Sequence, residues 1–185
     1  MADRNRKSPT REELLRATEK TVPDVIAGGL KVIFSGINPG LYTAWAGHHF
    51  AHPANRFWQV LFASGFTDRR LRPEDERQLL NRGYGITNLV LRATATAAEI
   101  PADELRMGSK LLTEKIRRYE PRWLAVLGIG AYRTGFARPE AVIGQQQETI
   151  GLTRIWVLPN TSGLNANHTP ERLTELFRKL RARSG

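Results

Sequence analysis

Two loops of this chain carry residue types that could do chemistry. The first is Gly36-Ile37-Asn38-Pro39-Gly40. Proline holds its own φ at about −65° and drives the residue before it into extended backbone, so Asn38 stands on a stiff turn. Gly40 has no Cβ and lets backbone approach a ligand closely. An amide held there could accept a hydrogen bond from water through its carbonyl oxygen and aim that water. The plainer reading is a Pro-Gly turn with a solvated Asn. A phosphate loop is disfavoured, because no Gly-Lys-Ser/Thr ending follows.

The second loop is Leu158-Pro159-Asn160-Thr161-Ser162-Gly163-Leu164-Asn165-Ala166-Asn167-His168. It is polar except for Leu164, which sits beside Gly163. A single large apolar side chain on a tight polar loop can wedge into a base stack; the competing reading folds Leu164 inward as a core anchor. Between the two loops lies Gly47-His48-His49-Phe50-Ala51-His52-Pro53-Ala54-Asn55-Arg56-Phe57-Trp58. Phe50 could stack on an extruded base, although an aromatic beside a helix is more often core. His48, His49 and His52 invite a zinc reading. No carboxylate is near in sequence and the spacing fits no common zinc motif, so surface or hydrogen-bonded histidines are expected and no metal.

Alternating strands and helices must position these loops. Leu30 to Ile37, Gly85 to Leu91, Trp123 to Gly128 and Arg154 to Pro159 read as strands. Helices are expected over Leu14 to Glu19, Arg56 to Ala63, Pro73 to Asn81, Asp103 to Tyr119 and Gly130 to Phe136. A last helix is capped by Thr169 with Pro170 at its first position, and its Leu173, Leu176, Phe177 and Leu180 share one face. The pattern predicts an α/β fold, a single three-layer α/β/α domain with a central, mainly parallel sheet. In such sheets the site lies outside the carboxyl ends of the strands, where both loops fall.

The 185 residues suit one domain with a real core. Residues 1–25 are expected to be a basic, partly flexible extension, and residues 26–185 the working domain. With no cysteine there is no disulfide, thiolate metal site or cysteine nucleophile. No run is apolar enough for a membrane span or signal peptide, so a cytoplasmic, membrane-free protein is expected. Lys and Arg number 28 against 18 Asp and Glu, a net charge of +10 that favours polyanions. The run Arg172, Arg178, Lys179, Arg181 and Arg183 is a candidate phosphate-contacting surface.

Gly36-Ile37-Asn38-Pro39-Gly40, then Phe50-Ala51-His52-Pro53-Ala54-Asn55-Arg56-Phe57-Trp58, then Leu158-Pro159-Asn160-Thr161-Ser162-Gly163-Leu164 together resemble the mismatch-specific uracil-DNA and thymine-DNA glycosylases. These form a branch of the uracil-DNA glycosylase superfamily, and the likeness runs from about Leu30 to the last helix. It implies a monomer without cofactor that acts on double-stranded DNA containing a mismatched or damaged pyrimidine. Asn38 would position the attacking water. Phe50 would stack on the flipped base, with Ile37, Gly40 and Asn88 in the same substrate-binding set. Leu164 would fill the gap in the duplex. Gly163 and Asn165 would offer backbone groups to the widowed guanine, with Asn160, Ser162 and Arg92 among the DNA contacts.

The chain departs from that pattern in three places. Thr161 replaces a common Pro, which is expected to matter little. Asn165-Ala166 replace Ser-Arg. Many members carry an acid in the segment matching Leu89 to Thr94, where Leu91 and Ala93 offer none, so Ala93 marks a candidate site of a missing carboxylate. A catalytically weak or inactive DNA-binding module on the same fold is the alternative, and a nucleotide-binding enzyme using Asn-Pro-Gly for phosphate is a further one.

Overall fold

The computed structural model describes residues 8–185. In chain order these form α1 (Arg11–Arg16), β1 (Val32–Gly36), α2 (Leu41–Ala46), α3 (Phe57–Ala63), β2 (Tyr84–Asn88), α4 (Ala102–Tyr119), β3 (Trp123–Leu127), α5 (Ile129–Gly135), β4 (Gly144–Ile150), β5 (Thr153–Leu158) and α6 (Pro170–Ser184). 3₁₀ segments cover Ala17–Glu19, Pro73–Arg82 and Ala97–Glu99.

The strands form one sheet in the order β2-β1-β3-β5-β4. β1 pairs parallel with β2 and β3, and β3 with β5; only the edge strand β4 is antiparallel. β1, β2 and β3 are buried along their whole length, as strands covered on both faces must be. Successive residues serve opposite layers. Phe34, Ala125 and Trp156 pack with Phe57 of α3 and Phe177 of α6. Ile33, Leu124 and Ile155 pack with Leu112 and Ile116 of α4 and Tyr132 of α5. The chain leaves β1 for β2 on one side and returns to β3 on the other. That reversal opens a crevice at the carboxyl end of β1, where Asn38 follows the strand.

Several expected elements differ. β4 escapes sequence reading because Gly144-Gln145-Gln146-Gln147-Glu148-Thr149-Ile150 is polar; one-sided burial and a register irregularity mark it as an edge. α2 is six residues long, too short to show a period, and stops at Gly47 in the left-handed region (φ 74°). The helix expected over 73–81 is wound as 3₁₀ turns. β2 ends at Asn88 rather than Leu91. Pro101, not Asp103, flanks the start of α4, and Asp103 lies in its first turn. Thr169 caps α6 as expected, accepting from the Arg172 amide.

The segment read as an extension is in part built into the domain. Ala17, Val22 and Val25 are buried, and Val25 bridges Ile86 through two backbone hydrogen bonds. Residues 1–7, the most basic part of that segment, lie outside the described residues. Among the described residues no helix is long and apolar enough to cross a membrane.

Candidate active site

A cavity of about 880 Å³ opens at the carboxyl ends of the strands, lined by both loops of interest, the 49–55 segment and Leu14 of α1. Asn38 lines it. Its Nδ2 lies 3.1 Å from the Pro39 carbonyl, 3.0 Å from the Arg92 carbonyl and 2.7 Å from Thr94 Oγ1. Carbonyl oxygens only accept, so the atom facing them must be the nitrogen, and the orientation of the amide follows. Thr94 in turn donates to the Thr96 carbonyl. The backbone zips the same two segments together: Thr94 N–H donates to Pro39 and Leu41 N–H to Thr94. With its nitrogen spent, Asn38 has Oδ1 left, and no described protein donor bonds to it.

Phe50 forms a wall of the cavity. Its φ of 54° is in the left-handed region, a strain of order 1–3 kcal/mol for a non-glycine residue. The ring is stacked on Phe57, with centroids 4.0 Å apart, which fixes the plane it shows to the cavity. Beneath it is Gly36: a Cβ there would lie 3.4 Å from the Phe50 ring and 2.5 Å from Asn88 Oδ1. The glycine is therefore required by close approach. Asn88 is buried, and its Nδ2 faces His49 Nδ1 at 3.4 Å. His49 is itself buried, with Nε2 3.0 Å from the Pro23 carbonyl and its N–H on Glu76. Burial holds its imidazole below the ordinary pKa of 6.5, against the pull of Glu76 and Asp24.

The 160–168 loop is clamped from below by Arg56. Its guanidinium donates to the carbonyls of Ser162, Asn165 and His168. Asn55 Oδ1 accepts from the Thr161 hydroxyl, and Arg56 N–H donates to the Thr161 carbonyl. Thr161, expected to matter little, is a buried tie between the segments. Gly163 presses on Ala54, where a Cβ would come within 2.7 Å of backbone. Inside the loop, Asn160 accepts from Ser162 N–H and from the Asn165 amide, and Ser162 Oγ accepts from Leu164 N–H. Held this way, Leu164 is 80% exposed at the cavity rim. It is not a core anchor.

Not every candidate residue reaches the cavity in the expected role. Ala93 does not line it; its methyl is buried with Ala17 and Ala44 against Leu41 and Trp45. No carboxylate lines the cavity among the described residues. The Arg92 guanidinium is paired with Glu104, at 2.7 Å, and only its carbonyl serves the site, through Asn38. Glu104 holds the Arg92 pKa above its usual value and is itself lowered by the same hydrogen bond. Asn165, expected to offer backbone groups outward, has its N–H on Ser162 and its carbonyl on Arg56, while the Gly163 backbone carries no such bonds. Ile37 lines the cavity, but its carbonyl accepts from Val90 N–H.

The later arginines of α6 point elsewhere, while Arg172 lies in its first turn beside the 160–168 loop. Arg172 pairs with Glu175, Arg178 and Arg181 donate to the Ala63 and Gly65 carbonyls, and Arg183 lines a separate cavity of about 630 Å³ with Trp123 and Arg154. Trp123 and Thr153 begin their strands, so that cavity is at the amino end of the sheet, opposite the site. The histidines likewise have local partners: His48 on Glu76, His49 on Pro23, His52 on the Ala54 amide. Among the described residues no group of three His, Asp or Glu could hold a metal ion.

Two residues central to this geometry, Thr94 and Arg56, do not stand out in the sequence, and His49 stands out only as a metal candidate. Arg56 alone leaves a signal, a cation inside an apolar helix start, where a charge must have buried acceptors. The other two act through partners 39 and 56 residues away in sequence.

The sequence pattern of the uracil DNA glycosylase superfamily matches residues 23–181. Among solved structures, the fold is similar to the solution structure of a "putative Uracil DNA glycosylase" from Methanosarcina acetivorans. That likeness has a TM-score of 0.58 at 20% identity, covering 88% of this chain and 98% of that one. At that identity it supports the fold. The family match spans both loops, all of the cavity lining but Leu14, and all five strands, and by it this chain belongs to the uracil DNA glycosylase superfamily.

Proposed function

We propose that this chain is a monomeric base-excision DNA glycosylase of the mismatch-specific branch, which extrudes uracil from a mismatched duplex and hydrolyses its bond to the sugar. The observation that carries the reading is the Asn38 amide, with its nitrogen consumed by Pro39, Arg92 and Thr94 and its oxygen left for the cavity. An acceptor held this way orients a water toward the anomeric carbon of an extruded nucleotide. The C–N bond breaks with its electron pair leaving on the base. The water oxygen bonds to the carbon, and its proton passes to solvent. An amide cannot take that proton, and general-base help is typically worth about 10²–10⁴-fold. Slow turnover follows.

The remaining parts fit the same reaction. Phe50, backed by Phe57, offers a flat face for the base. Leu164, exposed at the cavity rim, would occupy the space the base leaves. Extrusion is least costly at a mismatch, so a slow enzyme gains selectivity there. The lack of a lining carboxylate favours one alternative, a DNA-binding module of little or no activity. Incubation with a duplex carrying one G·U pair, followed by alkaline cleavage of abasic sites, separates the two. Strand cleavage at the uracil is expected; binding without cleavage would support the module.

A further inference from the structure

We propose that the cavity at the amino end of the sheet, with the β4–β5 turn at its rim, docks a short acidic peptide segment of a partner protein through an apolar residue flanked by carboxylates. A parallel sheet brings the starts of its strands and the ends of its covering helices to one side. In this chain that side gathers cations. Arg117 lies in the last turn of α4 and Arg183 in the last turn of α6; Arg122 directly precedes β3 and Arg154 is the second residue of β5. All four line the cavity of about 630 Å³ and all are exposed. None has an ion pair or a side-chain hydrogen bond among the described residues. Helix dipoles favour a cation at Arg117 and Arg183. No dipole favours Arg122 and Arg154, which stand at neighbouring strand starts, where Arg154 N–H donates to the Arg122 carbonyl. Like charges so placed repel. Glu120 is the one acidic side chain in the lining among the described residues. The Arg154 guanidinium is held in place over the Trp123 ring, 5.4 Å from its centroid.

The second observation is apolar. β4 and β5 are joined by the two residues Gly151 and Leu152, with Ile150 paired to Thr153 and Gly151 at a φ of 59°. The second place of such a turn is usually polar. Here it holds Leu152, 97% exposed, more than any other large apolar side chain of the described residues. The turn is braced, since the Thr153 hydroxyl donates to the Pro121 carbonyl at 2.6 Å. A fixed apolar side chain among unpaired arginines matches a segment with an apolar residue between carboxylates. The carboxylates take the guanidinium forks, and the apolar side chain covers Leu152. A cavity of this size holds a few side chains. A nucleic-acid strand fits less well. It would find no open aromatic face to stack on, since Trp123 is buried beneath Arg154, and it would set phosphates against Leu152. Because the cavity is at the opposite end of the sheet from Asn38, a partner held there leaves the other cavity open.

The test is fluorescence anisotropy of the full chain with three labelled synthetic peptides. One has aspartates around a central leucine, one replaces the aspartates by asparagine, and one replaces the leucine by serine. The first is expected to bind at least about tenfold more tightly than either control, and to weaken as salt rises. Leu152→Ser and Arg122→Glu should each weaken it by about tenfold, with thermal melting and excision from a G·U duplex unchanged. Amide ¹⁵N NMR of the unaltered chain locates the contact without any variant: shifts are expected at 117–123 and 150–154. No binding, shifts around Asn38 instead, or equal affinity for the serine peptide would overturn the proposal. So would a single-stranded oligothymidylate that displaces the acidic peptide and moves the same amides, since the cavity would then be a nucleic-acid site.

Discussion

At the residue scale the site works by spending polar groups on one another until a single atom is left over. Asn38 and Thr94 show this. The Thr94 hydroxyl accepts from the Asn38 amide and passes its own hydrogen to Thr96. Thr94→Val keeps the shape and removes the hydroxyl, so the amide should lose its orientation and single-turnover excision should fall about tenfold or more, with thermal stability lowered by about 1 kcal/mol. An unchanged rate would mean the two carbonyls suffice. His49 carries a stability prediction of its own. Its folded pKa is depressed by burial, so below the unfolded value near 6.5 the unfolded chain takes up a proton that the folded chain refuses. Stability is therefore flat above that pH and declines as pH falls toward the folded value. Urea denaturation at about pH 7.5 and about pH 5.5 should show the decline in the unaltered chain and a smaller one in His49→Phe.

At the scale of elements, the proposed wedge role depends on how the 160–168 loop is braced against the start of α3. Arg56 supplies three of the loop's carbonyls with donors, so Arg56→Ala strands them and should cost about 1–3 kcal/mol in a chemical melt. Excision of paired uracil should fall further than that of single-stranded uracil, since only the paired base must be displaced. Leu164→Ala should show the same asymmetry with no loss of stability, its side chain being exposed. Equal losses on both substrates would remove the wedge role. Sequence makes the loops and four of the strands legible, because Asn-Pro-Gly after an apolar run and one Leu in a polar loop are local patterns. What stays hidden is nonlocal or weakly patterned. β4 is a polar edge whose place is set by pairing with β5. Ala93 reads as a rim residue because its segment follows a strand, and only packing against Ala17 and Ala44 turns its methyl inward. Asn165 reads as a DNA contact in a polar loop, yet its N–H, side-chain amide and carbonyl are engaged by Ser162, Asn160 and Arg56.

At the scale of the whole molecule the net charge of +10 is unevenly used. Arg178 and Arg181 are bonded to the Ala63 and Gly65 carbonyls, and Arg183 lies at the amino end of the sheet, opposite the cavity rim that carries Leu164. Arg181→Gln or Arg183→Gln should therefore leave the salt dependence of DNA binding unchanged. Removing a cation that neutralises a phosphate would instead flatten the slope of log K against log salt by about 0.9. A slope reduced by that amount would put α6 on the DNA. The central claim is narrower than any of this: one oriented amide oxygen performs the water-directing step without a carboxylate. Single-turnover excision from a G·U duplex by the unaltered chain and by Asn38→Ala, with duplex affinity measured in parallel, tests it most directly. The rate should drop by at least about 10²-fold while affinity stays within about twofold. Equal rates, or a loss of affinity that accounts for the slower rate, would contradict the account.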